Sequence, residues 1–336
     1  MKRNTPLSDH RNASRKIMMV VCSSTFILPS AGFSADSGDN NTLTVTGSAA
    51  AGRTENSYTT SASTVGSKTP VSRLEESQSV SVVTQQQMKD FQTTSLSDAM
   101  HFVSGVARSN TLAGTEDGIL RRGFGSNSDG SIFRDGIRSS QGLNLDATTD
   151  RVEVLKGSAS LLYGIQNPGG VINIVSKKPQ YQWSTTTFGH YNSTGGGAAG
   201  IDITGPLGNG FAFRLIAEKQ AQNYWRGFGN DKHNLIAPSL QWIGDKASFD
   251  ISYESFQYDI PYDRGTAFVN GKPVSIGYKT RLDDYTNHAW GRNQTFSSHW
   301  DYQFNDIWST RISAGMNQRH YSNNEVRVTA INTTTG

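Results

Sequence analysis

The sequence predicts a compact α/β domain of mixed short strands and helices, followed by the first strands of an antiparallel transmembrane β-barrel. Three observations predict it. No apolar run beyond the N-terminal leader approaches the roughly 18 residues a membrane helix needs, so a helical span is excluded and a barrel is not. The texture changes after Pro179, from short segments punctuated by Gly, Asn and Asp to long segments of period two. Finally, the links between those long segments alternate short and long, the habit of outer-membrane barrels with tight turns at one end and extended loops at the other.

Composition agrees with this class. Of 336 residues, 35% are apolar and 18% charged, with 34 Gly and 12 Tyr beside many Ser, Thr and Asn. Glycine, threonine and aromatics favour strands and turns over long helices. The net charge is +3, but Lys2, Arg3, Arg11, Arg15 and Lys16 against Asp9 place +4 in the leader, so the rest carries 3 − 4 = −1. A near-neutral chain without a basic cluster excludes nucleic acid as the partner, because phosphate binding needs concentrated Lys and Arg.

Residues 1–35 read as a signal peptide: a basic start, an apolar stretch over 17–28, then small residues through Ala31, Ser34 and Ala35. The sole cysteine, Cys22, lies inside this leader behind Val21, where lipoprotein processing wants a small residue. Residues 36–68 are Ser, Thr, Gly, Ala and Asn with Tyr58 as the single aromatic. That is too little apolar surface to offset ordering entropy, and a flexible linker is expected. Within it, Thr42, Leu43, Thr44, Val45, Thr46 and Gly47 form a short alternating stretch able to pair with an exposed sheet edge.

Residues 69–182 carry the compact domain. A strand is expected over 79–84, and a helix from about Ser95, where Leu96, Ala99, Met100 and Val103 recur at helical spacing and Gly105 supplies the stop. Short strands follow over 119–124, 132–137, 151–155 and 170–175, separated by turn residues. Residues 183–336 then hold seven amphipathic strands, near 183–191, 198–205, 210–220, 234–242, 247–258, 294–304 and 308–318. Phe211, Phe213, Leu215 and Ala217 line one face of the third, and Trp308, Thr310, Ile312, Ala314 and Met316 one face of the last. A soluble sandwich gives the same alternation. A barrel wide enough to hold a domain in its lumen has ~22 strands. At about ten residues each these need ~300 residues, and 336 − 179 = 157 follow Pro179, so a part of the barrel is expected.

Within the compact domain, Leu120-Arg121-Arg122-Gly123-Phe124 is followed by Asp135-Gly136, then by Arg151-Val152-Glu153-Val154-Leu155-Lys156-Gly157, Ser160-Leu161-Leu162-Tyr163-Gly164 and Asn167-Pro168-Gly169-Gly170-Val171-Ile172-Asn173-Ile174. This series, in this order, resembles the plug domain of TonB-dependent outer-membrane siderophore receptors, with general similarity to the ferrichrome and hydroxamate type. The resemblance implies a plugged barrel in the Gram-negative outer membrane, in contact with its lipid, that takes up a ferric siderophore. It makes 42–47 the TonB box captured by the energy-coupling protein TonB. Three departures from the family pattern stand out: Ser158 replaces the usual Pro after Gly157, Arg134 precedes Asp135-Gly136 where an apolar residue is usual, and the loop from Ile137 to Asp150 lacks the aromatic that many members place before Arg151.

The same resemblance puts candidate ligand contacts at the plug apex, Arg122, Gln141, Gly142 and Asn144, and in extracellular loops, Trp225, Tyr262 and Arg264. Arg122 and Lys156 are candidate plug–barrel contacts. No catalytic residue, metal site or resident cofactor is expected: Gly157-Ser158-Ala159-Ser160-Leu161 fails the Gly-x-Ser-x-Gly elbow, the seven His lack metal-ligand spacing, and iron arrives inside its chelator. Three alternatives stay open: a receptor for haem, cobalamin or a glycan; a surface adhesin or structural barrel; and a truncated, non-transporting remnant.

Overall fold

The computed structural model describes residues 21–26, 56–125, 129–139 and 142–328. Two sheets organise them. The smaller has five strands in the order Ser79–Thr84, Thr149–Lys156, Gly170–Ser176, Ile132–Arg134, Ile137–Arg138. Its two central members are buried along almost their whole length, polar residues such as Arg151, Glu153 and Asn173 included.

Short helices cover this sheet. Thr84 ends the first strand and caps the helix Gln85–Asp90, its hydroxyl accepting from Gln87 N while the Gln87 side chain accepts from Thr84 N. The sequence reading placed no helix there, although Thr-x-x-Gln is the signature of such a start. Ser95 caps Leu96–Ala99, which tightens into the turn Met100–Phe102. The helical spacing holds, because Leu96, Ala99, Met100 and Val103 are all buried against Val83, Val152, Val154, Ile172 and Ile174. Each such side chain contributes roughly 1.5–3 kcal/mol by leaving water. The strand expected over 132–137 is instead a tight hairpin, since Asp135 and Gly136 both adopt positive φ.

The expected linker over 36–68 ends too late. Residues 60–68 are packed into the α/β domain: Ala62–Ser63 pairs with Val71–Ser72, and Val65 is fully buried beside Leu155 and Tyr163. Thr64 donates from its N and hydroxyl to Glu153 Oε2 at 3.0 and 2.8 Å, and the Tyr163 hydroxyl donates to Val65 O at 3.0 Å. Composition underestimated this stretch because one Val and a pair of hydrogen bonds to a buried carboxylate hold it, not an apolar run.

The larger sheet contains seven successive antiparallel strands, Ser184–Tyr191, Gly196–Gly208, Phe211–Asn223, Asn230–Ile243, Ala247–Pro261, His288–Gln303 and Ser309–Asn324. All seven fall where the alternation predicted them. Tight turns at 209–210, 244–246 and 304–308 lie at one end, and the longer loops 224–229 and 262–287 at the other. An added strand, Val21–Phe26, lies antiparallel on the free edge of Ser309–Asn324. It falls inside the predicted leader; an open edge of unpaired backbone groups pairs with whatever extended segment reaches it.

Side-chain placement separates this wall from a soluble sandwich. Phe211, Trp242, Phe249, Trp300 and Ile312 occupy one register row across five strands, near the tight-turn end. Their rings meet one another, with Phe249 stacked on Trp300 at 5.0 Å. Above them Phe296 and Met316 share the same face and are exposed. The opposite face carries Asp202, Arg214, Gln241, Glu254, Asn293 and Arg319, and it is this polar face that packs on the α/β domain. A water-soluble sandwich buries its apolar face; a membrane barrel turns that face to lipid beneath an aromatic girdle. Among the described residues no helix is long and apolar enough to cross a membrane.

Candidate ligand-binding site

Buried ion pairs seat the α/β domain against the wall. Arg134 binds Asp146 at 3.0 Å and Glu254 of the wall at 3.1 Å, and it also donates to Asn144 O. Burial works against its charge, but Asp146 and Glu254 more than offset this, so its pKa lies above the ordinary arginine value. The departure from an apolar residue at position 134 is thereby explained: the position faces a barrel carboxylate. Nearer the tight turns, Lys177 meets Asp202 at 3.2 Å, Lys178 pairs with Asp250, and Arg311 donates to Lys68 O at 2.8 Å.

Towards the loop end, the loops 110–117 and 142–147 of the α/β domain press on strands five to seven of the wall. Leu143 and Ala147 pack on the buried cluster of Ile216, Leu235, Ala237, Phe256 and Tyr258, as does Tyr321. Gly142 has φ +150° and lies so near the wall that a Cβ there would sit 2.9 Å from Asn293 Nδ2. Asp117 staples the two loops, receiving Asn144 N at 2.7 Å and Asn144 Nδ2 at 3.1 Å, while its own N donates to Gly142 O. Burial pushes its carboxyl up to about 6 against the opposing pull of those hydrogen bonds. Beside it Glu116 accepts from Arg319 Nη1 of the wall at 3.0 Å. Tyr258, Asn293, Arg319 and Tyr321 thus gather around the apex of the α/β domain. Period-two alternation could have placed them on the inner face, but only the register aligns them.

The loop end holds a second feature. An open cavity of about 560 Å³ lies among Thr194, Asn223, Tyr224, Trp225, Phe228 and Lys279. Arg226 fixes one side by pairing with Asp263 at 3.0 Å and donating to Thr280 O, and the Arg281 guanidinium stacks 4.3 Å over Phe228. Burial, reinforced by Asp263, pushes the Tyr224 hydroxyl up to about 12.

The sequence-predicted residues do not converge on one point. Gly142 and Asn144 stand at the apex, where Asn144 is occupied in holding Asp117. Tyr262 and Arg264 come together at 3.4 Å, with Arg264 also reaching Glu325 at 3.4 Å. Trp225 lines the loop cavity and is half exposed. Arg122 is exposed, in a turn at φ 49°, and Lys156 donates to Ser104 Oγ within its own domain at 3.0 Å. Among the described residues neither binds the seven strands, whereas Arg134, Lys177 and Lys178 pair with the wall carboxylates Glu254, Asp202 and Asp250. Arg121, next to Arg122, is buried and ties the motifs together, donating to Gly170 O and pairing with Asp129. Gln141 and the segment 42–47 lie outside the described residues.

Residues 72–171 match the TonB-dependent Receptor Plug Domain. The ferrioxamine receptor of Yersinia enterocolitica is 29% identical over 321 residues, covering 88% of this chain and 43% of that relative. Residues 72–171 thus belong to the TonB-dependent receptor plug family, and most of the chain is similar to receptors of that kind. The Escherichia coli K12 ferrichrome outer membrane transporter/phage receptor is 26% identical, covering 79% of this chain and 38% of its own length. The chain therefore spans about two fifths of the length of these relatives. Among solved structures, the siderophore receptor PiuA of Acinetobacter baumannii aligns at TM-score 0.72 and 25% identity over 80% of this chain and 40% of its own. The Pseudomonas aeruginosa ferripyoverdine receptor also aligns at 0.72, at 21% identity over 82% of this chain and 39% of its own, a likeness of fold. The α/β domain is the plug, and the seven strands are part of the outer-membrane barrel around it.

Proposed function

We propose that this receptor takes up a ferric siderophore across the outer membrane, energised by TonB. The observation that carries the reading is a plug seated on the polar face of a barrel wall whose other face is apolar, with its apex meeting inward tyrosines and an arginine at the loop end. Relatives named for ferrioxamine and ferrichrome support an iron chelate as the cargo. In this reading iron enters as chelated cargo, no resident cofactor is required, and the chain has no enzymatic role. The chelate settles between the apex loops and the wall, and the loop aromatics Tyr224, Trp225 and Tyr262 enclose it.

The segment 42–47 is the TonB box, captured by strand addition. Its tension reaches the plug through 60–68, where Thr64 is bonded to Glu153 at the centre of the sheet. Deleting 42–47 tests the reading with two assays on the same cells. Uptake of radiolabelled iron as ferrioxamine B is expected to stop while surface binding persists. Undiminished uptake by the deletion strain overturns the transport reading.

A further inference from the structure

One feature of the apex reaches past general chelate binding, and it rests on the uptake reading above. The Arg319 guanidinium is used at one end only. Its Nη1 meets Glu116 of the plug at 3.0 Å, whereas Nε and Nη2 are buried without a hydrogen-bond partner. Those two nitrogens form the side-on edge of the group, two parallel donors spaced to match two oxygens borne on one carbon. The hydroxyls of Tyr258 and Tyr321 are buried beside it, and Tyr258 is only 4% exposed. Tyr258 adjoins Arg319, and Tyr321 adjoins Thr115 and Tyr262.

Four donor groups on one wall, facing the plug apex, define a chemistry. A buried donor left without an acceptor is costly, and more so when charged. A ligand that supplies a pair of anionic oxygens removes that cost. The iron-bound oxygens of a chelate serve poorly, since the metal has drawn off their charge and crowds them together. A free carboxylate hanging from the chelate keeps its full charge and has the required two-oxygen geometry.

We propose that Arg319, assisted by Tyr258 and Tyr321, receives a pendant carboxylate of the ferric chelate through its Nε/Nη2 edge. Glu116 is the resting partner of the same guanidinium and sets the affinity for this second anion, because two carboxylates then share one cation. Ligand arrival is in this way felt by a plug residue: the incoming anion weakens the Arg319–Glu116 hold between wall and plug.

The test compares two probes on the receptor in isolated outer membranes: ferrioxamine B, and its N-succinyl derivative, in which a carboxylate replaces the pendant ammonium. The derivative is expected to bind more tightly to the wild type. Arg319→Lys keeps the positive charge but lacks the two-donor edge, and the ratio of its affinities for the derivative and for ferrioxamine B should fall by about 10-fold to 100-fold. Tyr258→Phe should show the same selectivity to a smaller extent, and Glu116→Gln should strengthen binding of the derivative alone. Retained binding of ferrioxamine B certifies that each variant is folded. Equal losses for both probes, no loss for either, or a wild type that does not prefer the derivative overturns the carboxylate assignment. A wild type that binds neither probe overturns the uptake reading instead.

Discussion

Glu153→Ala removes a carboxylate that is fully shielded from water at the centre of the plug sheet. Three donors converge on it: Thr64 N at 3.0 Å and Thr64 Oγ1 at 2.8 Å on one oxygen, and Arg151 Nε at 2.8 Å on the other. Truncation leaves the Thr64 amide orphaned, at about 1–3 kcal/mol, and strips a buried arginine of one of its two carboxylates. Breaking a buried pair from one side costs about 3–5 kcal/mol. Arg151 retains Asp150 at 2.8 Å, which places the expected effect at the low end, about 3 kcal/mol. The predicted consequence is local: residues 60–68 peel from the sheet before the plug core yields. Hydrogen exchange on the intact protein reads this directly, since 3 kcal/mol is about a 100-fold loss of amide protection. Protection at Thr64 and Val65 should collapse, while that of Val152 and Ile172 changes far less. Unchanged protection at Thr64 would refute the argument that this carboxylate fastens the segment. Glu153→Gln should fall between, keeping an acceptor for Thr64 and losing the charge.

Three further outcomes follow from named contacts. Asp117 has a folded pKa of about 6 against an ordinary 3.8; the native state therefore binds more protons between those values, and the stability this contributes is full below about 3.8 and lost as pH rises through 6. Protection of Leu143 and Asn144 measured from pH 4 to 7, corrected for intrinsic exchange, should decline with pH in the wild type and stay flat in Asp117→Asn. Phe296→Arg puts a charge on the outward apolar face and should cost about 2–4 kcal/mol if it lies near mid-bilayer, read as loss of barrel assembly in lipid vesicles; wild-type assembly would show that this face does not meet lipid. Gly170→Ala should destabilise the plug by at least about 2 kcal/mol, because φ is +111° and the new Cβ would sit 1.9 Å from Leu155 O; an unaltered melting temperature contradicts it.

Much of this architecture was legible in the sequence because its signals are local. Seven barrel strands were found from alternation alone, since a strand between lipid and a polar interior must place apolar and polar residues on opposite sides. The helix at Leu96 was likewise readable, its four apolar positions and its Ser95 cap lying within nine residues. Missed elements had weak or competing local signals. The Gln85–Asp90 helix has a single buried residue, Met88, to mark its periodicity. The stretch 60–68 looked like linker because its anchor, Glu153, lies 89 positions away from Thr64.

Taken alone, the amino-acid sequence determined that a compact α/β domain precedes the long barrel strands. It also held the motif series in which Arg121 and Gly170 recur, whose joint presence follows from their contact in the folded sheet. Only the tertiary structure decided which face meets lipid, since alternation has no sign until one side is seen against the plug and the other bare. It alone brought Arg134 to Glu254 of the wall, and it alone brought Glu116, Tyr258 and Arg319 to one place. Pairings of that kind join residues up to 243 positions apart, and what selects them is the register of long strands and the fit of one domain against another, neither of which any short window of sequence contains.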